Sequence, residues 1–145
     1  MKKILLILIT LSLSNIVYGQ TTRWKPMVSG SEIVWDSQSA KKININSVRF
    51  WYISPILEEQ KNLMIKLNMH TRNEVDSISY GRTGVVAKCN SMEYAIFQAE
   101  FLTINKTPID SGANVSDNKL EFKFIQPDTN IEDLVTAVCK YLKIK

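Results

Sequence analysis

The chain has 145 residues, of which 45% are hydrophobic, so its length and composition suit one domain with enough apolar material for a core. The formal net charge of +4 is modest and its basic residues are scattered. This excludes the concentrated positive charge that nucleic-acid-binding proteins use.

Residues 1–19 have the pattern of a cleaved export signal. A basic start is followed by an almost unbroken apolar run from Ile4 to Leu13, and Gly19 precedes the expected cut. The apolar run of ten residues is about half of the roughly 20 needed to cross a bilayer, so a membrane anchor is disfavoured. We therefore expect a signal peptide over residues 1–19.

Removal of the signal would leave residues 20–145 as a single soluble, exported domain. Lys2 and Lys3 leave with the signal and no acidic residue does, so 16 basic and 14 acidic residues remain. No cysteine lies near the cut, and no later run is apolar enough to span a membrane. The expected location is the periplasm, the cell surface or the medium, without a lipid anchor.

Most of this domain alternates with a period of two, which predicts β-strands. The expected strands cover residues 32–36, 44–54, 63–69, 82–89, 92–104 and 120–124. For residues 92–104 a helix is the alternative, although the aromatic and β-branched residues there favour a strand. Gly84 indicates a bulge or a close approach within its strand. Six strands with hairpin-length connections predict an antiparallel sheet.

Near the C-terminus the period becomes that of a helix. One apolar stripe contains Ile131, Leu134, Val135, Val138, Cys139 and Leu142. Thr129 and Glu132 have the spacing of a capping box, which marks the start of this helix. We expect a helix over residues 129–142, the one substantial helix of the domain, packed on one sheet face. The predicted fold class is α+β.

The two cysteines lie on elements that must pack together. Cys89 ends an apolar strand, and Cys139 lies on the apolar stripe of the helix. Because an exported protein matures in an oxidising compartment, this pair predicts a disulfide that ties the helix to the sheet. A metal site and a reactive thiol are the alternatives, yet two thiols and one histidine are too few for a closed zinc site, and no C-x-x-C motif is present.

The sequence offers little that could perform catalysis. His70 is its one histidine, and it falls on the polar side of the expected strand 63–69. No nucleophile motif accompanies it. Glu58 and Glu59 fall in what reads as a polar loop, and the glycines form no phosphate loop. We therefore expect no enzyme activity, no cofactor and no metal.

Three consecutive aromatic residues form the candidate partner-binding set. Phe50, Trp51 and Tyr52 cannot all point inward, because neighbours on a strand face opposite sides. Either Trp51 or the other two would therefore face away from one sheet surface, where aromatic side chains often anchor protein partners. The alternative is that loops, or residues 92–104, cover that surface as a minor second core. An open sheet edge would also permit a homodimer.

Several short motifs follow one another along residues 20–145: Trp24, Val34-Trp35-Asp36, Val48-Arg49-Phe50-Trp51, Val86-Ala87-Lys88-Cys89, Tyr94 to Phe97, Ile125 to Thr129 and Leu134 to Cys139. Their order resembles the surface-adhesin protein E family of Gram-negative bacteria. The chain departs from the family pattern at Phe122, where a tryptophan is frequent, and in lacking a lipid-bearing cysteine.

The resemblance implies a sheet of about six antiparallel strands with the C-terminal helix tied to one face by the disulfide. It also implies adhesion to host extracellular proteins such as vitronectin and laminin, and dimerisation. It transfers no ligand-contact residue to this chain. The missing lipid anchor favours an alternative, a resident periplasmic protein that acts as an inhibitor or envelope assembly factor on the cell's own partners.

Overall fold

The computed structural model describes residues 23–112 and 114–144. The signal peptide expected over residues 1–19 lies outside these ranges. The first half contains β1 (Trp24–Pro26), β2 (Val34–Asp36), β3 (Lys41–Asn44), β4 (Ser47–Pro55), α1 (Glu58–Lys66) and α2 (Arg72–Ser77). The second half contains β5 (Tyr80–Lys88), β6 (Glu93–Leu102), β7 (Pro108–Ser111), a 3-10 turn (Asp117–Lys119), β8 (Lys123–Phe124) and α3 (Asn130–Tyr141).

The strands form one antiparallel sheet in the order β1-β2-β4-β5-β6-β7. Strand β3 pairs with β4 beside β2, and β8 pairs with β6 beside β7. The centre of the sheet is the β4–β5 pair, whose register runs from Ser47 opposite Lys88 to Pro55 opposite Tyr80. The α+β fold and the antiparallel sheet predicted from the sequence are confirmed.

Helix α3 and the sheet face beneath it enclose the main core, and this face is called the helix face below. Val48 and Phe50 from β4 and Val85 from β5 share one buried cluster with Leu134 and Val138 of α3. The apolar stripe of the C-terminal helix therefore packs as its period predicts.

A disulfide joins Cys89, just beyond β5, to Cys139 in α3, with Cα atoms 6.0 Å apart. The predicted bridge is thus confirmed. Because it ties the helix to the strand hairpin that pairs with β4, it holds two sides of the main core together.

The strand expected over residues 63–69 is wrong, since α1 occupies most of this segment. The helix begins where Gln60 Oε1 accepts the Leu57 N–H at 2.8 Å, and acidic residues occupy its first turn. Its leucine, methionine, lysine and glutamate are good helix formers, so local propensity outweighs the chance alternation. Glu58 and Glu59 thus begin a helix rather than lying in a loop.

The prediction that the domain contains one substantial helix is therefore also wrong. Helix α1 has nine residues, and the six-residue α2 follows it. Thr71 and Glu74 form a capping box at the start of α2, in which Glu74 Oε2 accepts the Thr71 N–H at 2.7 Å. His70 precedes this cap instead of lying on a strand, and its ring meets the Phe101 ring edge-on at 5.4 Å.

Two smaller expectations are corrected near the C-terminus. The strand predicted over residues 120–124 shrinks to Lys123–Phe124, the two residues that pair with β6. Thr129 begins α3 but forms no capping box with Glu132. Asp128 has a φ of 59°, and its N–H donates to Glu132 Oε2 at 2.7 Å in place of the Thr129 N–H. Residues 92–104, by contrast, mostly form strand β6 as predicted.

Candidate functional site

The structure divides the three candidate aromatic residues between the two faces of the sheet. Phe50 is fully buried on the helix face, opposite Val85, and Tyr52 packs against the same core. Trp51 lies on the other face, opposite Gly84, and is half-buried. Of the predicted partner-binding set, only Trp51 therefore lies away from the main core.

Trp51 belongs to a stack of aromatic rings and guanidinium groups. The Phe97 ring meets Trp51 edge-on at 5.1 Å. The Arg49 guanidinium lies 3.8 Å from the Phe97 ring centroid, and that of Arg82 lies 5.5 Å from the Trp51 centroid. We call the surface formed by Arg49, Trp51, Arg82 and Phe97 the tryptophan face. Edge-to-face rings and cation–π contacts each contribute about 0.5–1.5 kcal/mol, so the stack is ordered before any partner arrives.

A glycine and a bulge bring Phe97 into this stack. The ladder between β5 and β6 shifts register at Gly84 and Val85, so Gln98 pairs with Gly84 and Ile96 with Val85. The Phe97 ring lies over Gly84, within 2.3 Å of where a Cβ would be. Only a residue without a side chain leaves this space, which confirms the close approach and the bulge predicted at Gly84.

Carboxylates hold both arginines. Asp117 Oδ1 accepts a hydrogen bond from Arg49 Nη1 at 3.0 Å. Glu100 Oε2 accepts one from Arg82 Nε at 2.8 Å, and Gln98 Nε2 donates to Glu100 Oε1 at 3.0 Å. Glu100 is buried, and a buried charge needs a partner. Arg82 balances the charge of Glu100, and both carboxylate oxygens accept hydrogen bonds.

The segment after β7 covers one margin of the tryptophan face. Its Val115 N–H donates to Phe97 O at 2.7 Å, and its Asp117 reaches Arg49. Phe122 lies under Lys88 Nζ, which is 4.2 Å from the ring centroid. Val86, Ala95 and Phe97 are buried on this side of the sheet and lie outside the main core. The alternative of a minor second core covered by a loop thus describes this margin, while residues 92–104 belong to the sheet itself.

Two ionisable groups near β4 have shifted pKa values. Burial raises the pKa of Tyr52, and a hydrogen bond with the Thr83 side chain opposes this shift only in part. Burial also acts against ionisation of Asp36, but hydrogen bonds from Arg23 and from backbone N–H groups outweigh it, so the pKa of Asp36 lies below its ordinary value. Tyr52 packs against the main core, and Asp36 forms an ion pair with Arg23.

Within the described residues, no group of three histidine, cysteine or carboxylate side chains is placed to hold a metal ion. In the same part of the chain, no helix is long and apolar enough to cross a membrane. On the tryptophan face, the Trp51 ring and the guanidinium groups of Arg49 and Arg82 are partly exposed, while the Phe97 ring is buried and supports them. Such a set can bind a partner.

Sequence reasoning did not single out Arg49, Arg82, Phe97, Glu100 or Asp117 as functional residues. Arg49 could have been found, because it shares the side of β4 that carries Trp51. Asp117 lies 68 residues from its partner Arg49, and Glu100 lies 18 residues from Arg82. No periodic pattern in a single sequence indicates such pairings.

No protein-family profile matches the chain, and no curated protein is similar to it in sequence. Its structure is similar to crystal form II of Haemophilus influenzae protein E, with a TM-score of 0.54 and 14% identity over 83% of this chain and 90% of that one. The selenomethionine form of H. influenzae protein E gives a TM-score of 0.50 and 15% identity, over 81% and 86%. The chain therefore has the protein E fold, which confirms at the level of fold the resemblance seen in the sequence motifs.

Proposed function

We propose that this protein is an exported, non-catalytic binding protein, and that its tryptophan face recognises a protein partner. The observation that carries the proposal is the half-buried Trp51, held between Phe97 and Arg82 on the sheet face opposite the helix. The similarity to protein E in fold supports it, because the family resemblance implies adhesion.

Tryptophan and arginine are the residue types that most often dominate binding energy at protein interfaces. Here both arginines are already paired with carboxylates, and the rings are already stacked. A partner would therefore meet side chains that lose little conformational freedom on binding, which favours affinity.

The partner class we propose is a host extracellular-matrix or serum protein, as the family resemblance implies. This requires that the protein reaches the cell surface or the medium. Fractionation of cells into cytoplasm, periplasm, outer membrane and medium tests that requirement. Recovery in the periplasm alone would favour the alternative, an inhibitor or envelope assembly factor that acts on the cell's own partners.

The dimer that the resemblance implies stays a prediction. Analytical ultracentrifugation of residues 20–145 at several protein concentrations tests it.

The first testable prediction concerns Trp51. Binding of residues 20–145 to immobilised vitronectin and laminin is measured by biolayer interferometry. We expect Trp51→Ala to weaken binding by about tenfold or more, the cost typical of an interface anchor. The matched control is Tyr141→Ala, since Tyr141 is an exposed aromatic residue of α3, on the opposite side of the sheet.

If Trp51→Ala folds normally and binds as tightly as the unchanged protein, the tryptophan face is not the recognition site. If neither matrix protein binds, the proposed partner class is wrong. A normal fold is established by an unchanged circular dichroism spectrum and a cooperative thermal transition.

A further inference from the structure

A cleft of about 290 Å³ lies on the helix face, away from the tryptophan face. Its walls come from the ends of three elements: β4 with Tyr52 and Pro55, the start of α1 with Leu57, and the start of α3 with Ile131. The volume is at the lower limit of about 300 Å³ for small-molecule sites, so it suits a few side chains of a peptide.

The lining of the cleft combines apolar walls with uncharged polar groups. Leu134 and Ile131 of α3 contribute apolar surface, while the side-chain amides of Gln60 and Asn130 lie among them. Gln60 Oε1 already accepts the Leu57 N–H, which leaves its amide nitrogen as a donor. Amide groups of this kind can pair with the backbone of a bound peptide.

An exposed apolar stripe on α1 continues from the cleft. Leu57, Leu63 and Leu67 are 60%, 54% and 58% exposed, and none of the nine residues of α1 is buried. At 3.6 residues per turn these leucines share one side of the helix with Gln60, so the stripe leads out of the cleft over about 15 Å. A surface helix normally turns its apolar residues to the core. Here Met64 and Ile65 are half-buried, while the leucines are presented to solvent.

Acidic residues flank the cleft at the starts of α1 and α3. Glu58 and Glu59 follow Leu57 in the first turn of α1, and Glu132 and Asp133 follow Ile131 in the first turn of α3. Lys61 is the one basic residue in the first two turns of these helices. This local excess of negative charge runs against the net charge of +4 of the whole chain.

We infer that the cleft and the α1 stripe bind a peptide segment of another protein, in which a large apolar side chain is flanked by lysine or arginine. The apolar side chain enters the cleft beside Leu57 and Ile131, and further apolar residues cover Leu63 and Leu67. The basic residues face Glu58, Glu59 and Asp133. This site is separate from the tryptophan face and does not depend on the function proposed there.

The test uses a fluorescein-labelled peptide, Lys-Lys-Leu-Phe-Leu-Lys-Lys, and fluorescence anisotropy with residues 20–145. We expect saturable binding that weakens as salt is added, because charge attraction contributes. A second peptide with glutamate in place of every lysine should bind at least about tenfold more weakly.

The decisive variant is Leu57→Asp, which places a charge at the mouth of the cleft on an exposed residue. We expect it to weaken peptide binding by about tenfold, since the cost of desolvating a carboxylate where the apolar side chain enters exceeds the attraction that one more acidic group offers the lysines. The matched control is Ile45→Asp, because Ile45 is 84% exposed in the turn between β3 and β4. That control, and Trp51→Ala, should bind the peptide normally.

A second variant, Glu58→Gln with Glu59→Gln, should weaken binding about threefold and reduce its salt dependence while keeping α1 folded. The inference fails if the lysine peptide does not bind up to about 1 mM, if both peptides bind equally, or if Leu57→Asp has no effect. It also fails if Leu57→Asp abolishes a dimer in ultracentrifugation without changing peptide binding, because a second copy of the chain then covers the stripe.

Discussion

The absence of a side chain at Gly84 determines how the tryptophan face packs. The Phe97 ring occupies the place of the missing Cβ and thereby lies between Arg49 and Trp51. Gly84 is also buried, so nothing but a neighbouring ring can fill this space. One residue on β5 thus sets the position of a ring on β6.

We expect Gly84→Ala to displace Phe97 and to lower the free energy of unfolding by about 1–3 kcal/mol, as overpacking of a filled core does. Urea unfolding measures the loss, and the fluorescence of Trp51 should change because its ring neighbour moves. In the Phe97→Ala background, the same glycine substitution should cost much less, since the clash is gone. Equal costs in both backgrounds would show that Phe97 is not the obstacle.

At the residue scale, the sequence predicted positions that obey a local rule. Gly84 interrupts an apolar strand, and Cys89 and Cys139 are the only two cysteines, so each is recognisable alone. The partners of Arg49 and Arg82 were not predictable, because they depend on a strand register and a loop path that bring together residues far apart in sequence.

Among the elements, α3 lacks a side-chain cap from Thr129 at its start and is tied to the sheet by the disulfide. Thr129 Oγ1 donates to Gln126 O and accepts no hydrogen bond from the start of the helix. The disulfide, in contrast, joins α3 to the end of β5 across 50 residues of chain. Closing a loop of this length removes much of the freedom of the unfolded chain.

We therefore expect Cys89→Ser with Cys139→Ser to lower the free energy of unfolding by about 2–5 kcal/mol. Urea denaturation followed by circular dichroism measures the change. The unchanged protein with a reducing agent should unfold at nearly the midpoint of the double variant, because both lack the bridge. Identical midpoints with and without reductant would contradict a stabilising disulfide.

The elements that the sequence predicted correctly are those whose pattern agrees with long-range packing. Helix α3 buries the apolar stripe that its period indicates, and strands β4, β5 and β6 form where β-branched and aromatic residues predict them. Residues 63–69 alternate too, but none of the α1 residues is buried, so no core constrained that segment to be a strand. Helix propensity and capping by Gln60 then decided its structure.

Across the whole molecule, the first strands are held by an ion pair at the edge of the sheet. Arg23 donates to both oxygens of Asp36, at 3.0 and 2.7 Å, and Asp36 Oδ1 also accepts the Gln38 N–H. The Asp36 side chain is buried, whereas that of Arg23 is half exposed. Asp36 thus fixes the strand β2 and the turn that leads to β3.

This pair gives the fold a dependence on acid. Because the pKa of Asp36 is lower in the folded protein than the unfolded value of about 3.9, the unfolded state binds more protons between the two values. The contribution of the Arg23–Asp36 ion pair to the free energy of unfolding is therefore present above about pH 4. It is lost as the pH falls through the pKa that Asp36 has in the folded protein.

We expect the free energy of unfolding, measured by urea denaturation between about pH 2 and pH 7, to fall less steeply on acidification in Asp36→Asn than in the unchanged protein. The variant should also be less stable at neutral pH, because Arg23 loses its charged partner. Asp76→Asn on exposed α2 is the control and should keep the original slope. If Asp36→Asn and the unchanged protein lose stability in parallel as the pH falls, Asp36 does not cause the dependence on acid.

The position of the bridge also imposes an order of events if the chain crosses a membrane unfolded, N-terminus first. Cys89 then emerges 50 residues ahead of Cys139 and meets the oxidising compartment alone. With two cysteines in the whole sequence, only one intramolecular pairing exists, so no wrong bridge has to be reshuffled. Maturation would need a thiol oxidant, and the bridge could tie α3 to the sheet only after Cys139 had emerged.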